Sequence, residues 1–403
     1  MVNRMDGATI KELTSGINQR GLRNHNERLI LSVLQRFGPT AGSDLARMTR
    51  LSAQTVSNIL RKLEGDEVVI RSEPVKGRVG KPSIPMQLNP DGALAIGMKL
   101  GRRSAEVVLA DLCGTIRRQI TTTYTYPAPT EVFEFLKTSA DNLTQALPVK
   151  LQTRICGIGV ATPFEFWNWL DQANIDDVSK LNWKNIDIAS EVSAFSELPI
   201  SILNDATAAC RAEHLYGRGK EFDDYAYFFV GSFIGGGIVL DETVYAGKTG
   251  NAGALGSMRS TGPQGESRQL VDVASLHLLF ARLEEAGISA QVLHDSPDDW
   301  SKWSRYVDPW LGQTAQELAK ASLSACSVID FEAILIDGAF PAAVRDELAE
   351  RTQRYILNQD TRGLVSPRVE SGAVGRNART LGAAAAPLFT QFFFDKSGGF
   401  ART

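Results

Sequence analysis

Between Gln54 and Leu63, polar and basic side chains alternate with aliphatic ones. Gln54, Thr55, Ser57, Asn58, Arg61 and Lys62 form the polar set; Val56, Ile59, Leu60 and Leu63 form the aliphatic set. The aliphatic spacing i, i+3, i+4, i+7 puts one face of a helix on a core and leaves the polar face outside. In a DNA major groove, Gln and Asn amides can pair with adenine edges and Arg with guanine. Arg78 and Lys81 stand in the run 77–82, Gly-Arg-Val-Gly-Lys-Pro. A backbone that thin and cationic could lie along a minor groove or along phosphates. An ordinary solvated helix face would use the same residue types.

A second group lies further on. Asn204-Asp205 stands where a buried strand is expected to become a helix. A carboxylate at a helix N-terminus keeps its charge, and it can bind a sugar hydroxyl or act on it as a general base. It can equally be a plain N-cap. The stretch 159–169, GVATPFEFWNW, offers Thr162, Asn168 and the aromatic faces of Phe164 and Trp167. It suits a sugar ring or, equally, a hydrophobic plug or subunit contact. Gly231 to Gly237 could cradle an anion with exposed N–H groups, or could simply be a hairpin.

The elements that must position these residues can be read in outline. Leu29, Ile30, Val33, Leu34 and Phe37 mark a first helix over 26–37, stopped by Gly38-Pro39. Ser43 can cap a short second helix with Leu45 and Met48 inward, and Ser52 can cap the third. Val68 to Ile70 and the alternation Ile84, Met86, Leu88 supply the strands of a hairpin. Three helices and a hairpin make a winged helix-turn-helix. From about residue 93 the pattern is mixed α/β, opening on three strands at 95–100, 105–111 and 116–124 that follow one another antiparallel. Trp183 is expected in the core.

Charge divides the chain at the same place. Residues 1–90 carry 14 Lys+Arg against 8 Asp+Glu, a net of +6, and the remaining 313 residues carry a net of −9. A basic head on an acidic body fits a DNA-binding region joined to a different module. No secretory signal is visible, and the longest uncharged apolar-leaning run, Tyr225–Leu240, falls short of the roughly 20 residues of a membrane span. Cys113, Cys156, Cys210 and Cys326 are widely spaced in apolar contexts, which reads as buried reduced thiols in a cytoplasmic protein. No internal repeat aligns.

Taken together, Gln54-Thr55-Val56-Ser57, the wing 77–82, Asn204-Asp205-Ala206, Gly235-Gly236-Gly237-Ile238-Val239-Leu240 and Gly382-Ala383-Ala384 resemble the ROK family (repressor, open reading frame, kinase). The likeness is to its repressor branch, of the N-acetylglucosamine and xylose repressor type, over roughly residues 20–390. It implies an α/β fold: an N-terminal winged helix-turn-helix over 1–89, then a two-lobed actin-like (ribonuclease-H-like) sugar-kinase body. The expected lobes are 90–205 and 206–403, with ligand bound between them.

The departures from the family pattern bear on activity. Where family kinases carry D-x-G-G-T-K, this chain has Lys99-Leu100-Gly101-Arg102-Arg103-Ser104. Bulky side chains stand where a backbone must approach a phosphate. The second phosphate loop, G-T-G in the family, reads Gly231-Ser232-Phe233, and the E-x-G-H pattern reads Ala254-Leu255-Gly256-Ser257. The following 260–268 has neither Cys nor His, so neither a structural zinc nor a cofactor is expected. Asp205 keeps the family's base position, but one Asp does not align nucleotide, metal and sugar.

The resemblance therefore implies a DNA-binding regulator, most simply a repressor, without kinase activity. Its partners would be a double-stranded DNA operator and a small carbohydrate, its assembly a homodimer or homotetramer, with no membrane partner. Gln54, Thr55, Ser57, Asn58, Arg61, Lys62, Arg78 and Lys81 would touch DNA. Asn204, Asp205, Thr162, Trp167 and Glu266 would touch the effector, Glu266 standing in for the missing family Glu. The alternatives are an active ATP-dependent sugar kinase with an attached DNA-binding head, and a constitutive DNA-binding scaffold with a vestigial body.

Overall fold

The computed structural model describes residues 25–74, 84–164, 183–262 and 264–394. The head comprises α1 (His25–Phe37), α2 (Gly42–Thr49), α3 (Ala53–Gly65), β1 (Val69–Arg71) and β2 (Met86–Leu88). β1 and β2 pair antiparallel, and Thr40 bridges to Met86 on the other side. Leu31, Leu34, Leu45, Val56, Leu63 and Val68 close the core beneath them.

Several details differ from expectation. The buried face of α1 is Glu27, Ile30, Leu31 and Leu34, while Leu29 and Val33 are half-buried and Phe37 is exposed. The helix can turn Glu27 inward because the Lys62 ammonium meets its carboxylate there. Met48 is also exposed. The inward face of α2 is Leu45 and Thr49, and the Thr49 hydroxyl donates back to the Leu45 carbonyl at 2.6 Å. Ser43 lies inside the first turn of α2, whose N-cap is Ala41. Ser52 does cap α3, accepting from the Thr55 amide at 3.1 Å. Arg78 and Lys81, in the wing, lie outside the described residues.

The body opens with β3 (Leu94–Leu100), β4 (Ser104–Asp111) and β5 (Ile116–Thr123). There follow α4 (Pro129–Gln145), α5 (Val149–Gln152), β6 (Ile155–Thr162), α6 (Ile188–Ser193) and β7 (Ile200–Asn204). The five strands form one sheet in the order β5-β4-β3-β6-β7, antiparallel among the first three and parallel from β3 to β7. Among the described residues the expected buried strand before Asp205, β7, has a neighbour on one side only, and it is half-buried. On one face Leu94, Ile96, Met98 and Leu100 pack with Val132, Leu136 and Leu143 of α4. Trp183 is buried with them, its ring 5.6 Å from that of Phe133 and its indole N–H donating to the Pro127 carbonyl at 2.8 Å.

Then come α7 (Asp205–Tyr216), β8 (Tyr225–Val230), β9 (Ile234–Leu240), β10 (Thr243–Val244), β11 (Arg259–Thr261) and β12 (Ser267–Gln269). They are followed by α8 (Leu270–Val273), α9 (Leu276–Glu285), α10 (Gln291–Asp295) and α11 (Ser304–Cys326). β13 (Ala333–Gly338), α12 (Ala342–Leu357), β14 (Arg368–Ser371) and α13 (Ala378–Phe392) complete the chain of elements. The second five-stranded sheet runs β10-β9-β8-β13-β14, again antiparallel across the first three strands and parallel across the rest. Both sheets thus share one strand order, a structural duplication with no counterpart readable in the residues.

By packing, the chain divides into two units: residues up to Asp205 together with those from Thr380 onward, and Ala206–Arg379. The sequence reading carried a second lobe through to residue 403. The last segment instead belongs with the first unit because α13 lies on glycines of β3 and β6. A Cβ on Gly159 would stand 1.8 Å from the Ala383 carbonyl oxygen, and one on Gly97 2.3 Å from that of Thr380.

Inside the second unit, two fully buried carboxylates fasten the turn after β14. Glu213 accepts from the amides of Arg218, Ala373 and Val374 at 2.7–3.0 Å. Asp337 accepts from Tyr227 Oη, Gly375 N and Arg345 Nη1 at 2.9–3.1 Å. Burial first, and then the charge of Asp337, hold the Glu213 carboxyl above the ordinary carboxylate range. With the folded pKa raised, the folded state binds the extra proton, so this contribution is present at low pH and lost as pH rises through the raised value. Glu213→Gln is therefore expected to flatten the loss of unfolding free energy between the ordinary carboxylate range and that raised pKa. An unchanged slope in denaturant titrations across that range would rule the effect out.

The cysteines depart from expectation in part: all four are free, Cys210 and Cys326 buried, but Cys156 only partly and Cys113 exposed on the β4–β5 turn. Among the described residues no helix is long and apolar enough to cross a membrane.

Candidate nucleic-acid interface and ligand-site residues

The Ser52 cap fixes where α3 starts and therefore which residues face outward. Gln54, Ser57, Asn58, Arg61 and Lys62 are exposed and Thr55 is half-buried, as the period predicts. Two of them are already occupied. The Thr55 hydroxyl shares a hydrogen bond with Ser52 Oγ at 2.8 Å, and Lys62 is held by Glu27 of α1. Gln54 Nε2 donates to Asn58 Oδ1 at 3.2 Å, one helical turn along. The outward face is thus an amide pair followed by Ser57 and Arg61.

The base of the head is clamped to the first sheet of the body. Glu67, in a left-handed backbone conformation (φ 58°), pairs with Lys150 and Arg154, each at 2.7 Å. Those two cations hold its carboxyl below the usual range. Arg154 also donates to the Asp66 carbonyl, and Asn89 Nδ2 to that of Glu67, both at 2.7 Å. Along α1, Ser32 Oγ accepts from the Phe394 amide at 2.8 Å and Arg28 reaches the Thr390 carbonyl. Sequence reading missed this seam, since nothing local marks Glu67 or Arg154.

Three of the candidate effector residues stand at the end of the first sheet. Thr162 and Asn204 are register partners at the C-terminal ends of β6 and β7, and Asp205 follows as the first residue of α7. Crevices outside the carboxyl ends of parallel strands are where open α/β sheets bind ligands. Thr162 Oγ1 is buried without a hydrogen-bond partner among the described residues. Trp167 lies outside the described residues. Glu266 belongs to the second unit, where it ties its own hairpin. It accepts from the Gln264 amide at 3.0 Å and pairs with Arg268 at 3.1 Å. Its own backbone amide, Gln264's and Arg268 lower its pKa.

The two glycine-bearing turns have their own geometry. Beside the β3–β4 turn, Lys99 of β3 is buried, 5% exposed, and pairs with Glu106 of β4, its cross-strand register partner. Ser104 Oγ accepts from Lys99 Nζ at 3.1 Å, and the Thr380 hydroxyl donates to Glu106 at 3.0 Å. At the β8–β9 turn, the Gly231 and Ser232 carbonyls accept from the Leu276 and His277 amides at the start of α9. The Phe233 ring stacks on His277 at 5.0 Å. Those helix N–H groups would otherwise suit an anion; here the protein's own carbonyls take them. Gly235, Gly236 and Gly237 are not in the turn but in β9, where a Cβ would strike Ala206, Leu255 or Cys210 at 2.5–2.7 Å. The run is glycine because α7 and the 255–257 turn approach it.

The comparisons with known proteins agree with this layout. A ROK family model matches residues 95–267, and a MarR family model matches residues 23–78. The chain is 25% identical to the Sinorhizobium fredii protein y4fQ, over 91% of this chain and 92% of that one. It is 24% identical to the Bacillus subtilis xylose repressor over 60% of this chain, a match spanning 62% of that repressor's length. Among solved structures, a ROK family transcriptional regulator described as a homologue of the E. coli MLC protein superposes with a TM-score of 0.62 at 20% identity, covering 91% of this chain and 96% of that one. A ROK family glucokinase from Streptomyces griseus, in complex with glucose and AMPPNP, gives 0.53 at 20%, over 73% and 98%. The chain thus carries a ROK family domain over residues 95–267, preceded by a MarR-type winged-helix domain over residues 23–78.

Proposed function

We propose that this protein is a DNA-binding transcriptional regulator, a repressor of carbohydrate-related genes, whose kinase-like body senses a sugar or sugar derivative without phosphorylating it. The observation that carries the reading is the outward face of α3, capped, polar and exposed, on a head of MarR type. The similarity to xylose repressors supports the carbohydrate link. Lys99, engaged by Glu106 where family kinases hold a carboxylate, supports the absence of phosphoryl transfer. Thr162, Asn204 and Asp205 are the residues proposed to meet the effector, with Trp167 and Glu266. A homodimer or homotetramer would present two heads to a pseudo-palindromic operator. Effector binding would shift the population away from the DNA-binding state.

Selection of binding sites from random DNA by the full chain tests the first half, and thermal-shift screening of sugars and sugar phosphates tests the second. ATP turnover with any hexose in a coupled assay would favour the kinase reading, which the fold it shares with the glucokinase keeps in view. Arg61→Ala is expected to cost about 1–3 kcal/mol at one base pair. Lys62→Ala should leave base discrimination nearly intact, because Glu27 draws that ammonium toward α1. Equal losses of discrimination in the two variants, measured on operator variants at fixed salt, would contradict the assignment.

A further inference from the structure

On the outward face of α3, four polar side chains besides Lys62 can reach a base edge: Gln54, Ser57, Asn58 and Arg61. Thr55 is tied to Ser52 and Lys62 to Glu27. Of the four, Gln54 and Asn58 are joined to each other, amide to amide, at 3.2 Å. An i, i+4 amide bond of this kind restrains both side chains before any partner arrives. It also fixes what the pair offers to a partner. With Gln54 Nε2 donating to Asn58 Oδ1, Gln54 Oε1 remains as an acceptor and Asn58 Nδ2 as a donor, side by side. Turning both amides over leaves a donor on Gln54 and an acceptor on Asn58. Either way the groups that take no part in the bond between them are one carbonyl oxygen and one NH2, an acceptor beside a donor.

In the major groove only adenine presents a donor (N6) beside an acceptor (N7) on one base. Guanine presents two acceptors, so its O6 would face the pair's acceptor oxygen. Cytosine offers a donor alone, and thymine an acceptor and a methyl group. Rejection of guanine thus comes from repulsion as well as from a missing bond. The pair also sits at the N-terminal end of α3, the part of a recognition helix that meets base edges.

We propose that Gln54 and Asn58 act as one reading unit that selects a single adenine in each half-site. This rests on the DNA-binding reading above and adds which two residues share which base. It predicts coupling rather than two separate contacts. The test uses the full chain and a site selected from a random DNA library. Gln54→Ala, Asn58→Ala and the double variant are each titrated against that site and against versions with every A·T pair changed in turn to G·C.

Each single variant is expected to lose discrimination at the same A·T pair, by roughly 5- to 100-fold. The double variant should lose little more than either single one. Discrimination at other positions and the slope of affinity against salt should stay unchanged, since no phosphate contact is removed. Losses at two different base pairs, or fully additive losses at one, would overturn the shared-unit proposal while leaving the regulator reading intact. A chain that selects no sequence at all from the library would overturn both.

Discussion

Replacing Lys99 with alanine is expected to destabilise the first sheet by about 3–5 kcal/mol, the usual cost of leaving one charge of a buried ion pair uncompensated. The Lys99 ammonium is nearly inaccessible, and its partner Glu106 is directly opposite it across β3 and β4. Ser104 and Thr380 complete the arrangement. Truncating the lysine leaves a carboxylate that water reaches poorly. Replacing both partners together, Lys99→Met with Glu106→Met, removes the charge as well as its partner and should recover most of the loss. Lys99→Asp, which restores the family carboxylate, should be worse than alanine because two like charges would face each other. Amide hydrogen exchange in β3 and β4 reads all three variants. Equal protection in Lys99→Ala and the native chain would mean that the pair contributes nothing to holding the sheet.

The second large effect is expected at Gly159. A side chain there meets backbone, not the movable end of a side chain: the Ala383 carbonyl oxygen would lie 1.8 Å from the new Cβ. Gly159→Val must therefore lift α13 from β6, at the upper end of the about 1–3 kcal/mol typical of overpacking. Gly312→Ala is the control. That glycine is within α11 with nothing near its missing Cβ, so alanine there should stabilise by about 0.5–1 kcal/mol. Denaturant midpoints of the two variants should move in opposite directions. A shift of the same sign and size in both would show that α13 tolerates displacement.

These two sites also mark the limit of what residues reveal in order. The three helices of the head and the opening meander were legible because their apolar periods are local and regular. Trp183 was legible as core for the same reason. Glu27 was not, because a carboxylate in the core of α1 makes sense only with Lys62, 35 positions later. The Gly235–Gly237 run invited an anion-cradle reading because its true neighbours, Ala206, Cys210 and Leu255, are distant in the sequence. The end of the second unit was misjudged because what α13 rests on, Gly97 and Gly159, is made more than 200 residues earlier. Of the candidate ligand residues, Thr162 and Asn204 come together through strand register. Glu266 ties its own hairpin through a salt bridge that sequence does not announce.

The contact of Ser32 with Phe394 joins residues 362 positions apart. During translation, α1 leaves the ribosome long before its neighbour exists. The head can form its own core early, because Leu31, Leu45, Val56 and Leu63 all lie within it. The clamp of Glu67 to Lys150 and Arg154 can form next, but the Ser32 contact must wait for Phe394. A growing chain would thus hold its folded head by the Glu67 clamp before α13 is made. Fastening α1 to the segment around α13 would be a late step of maturation.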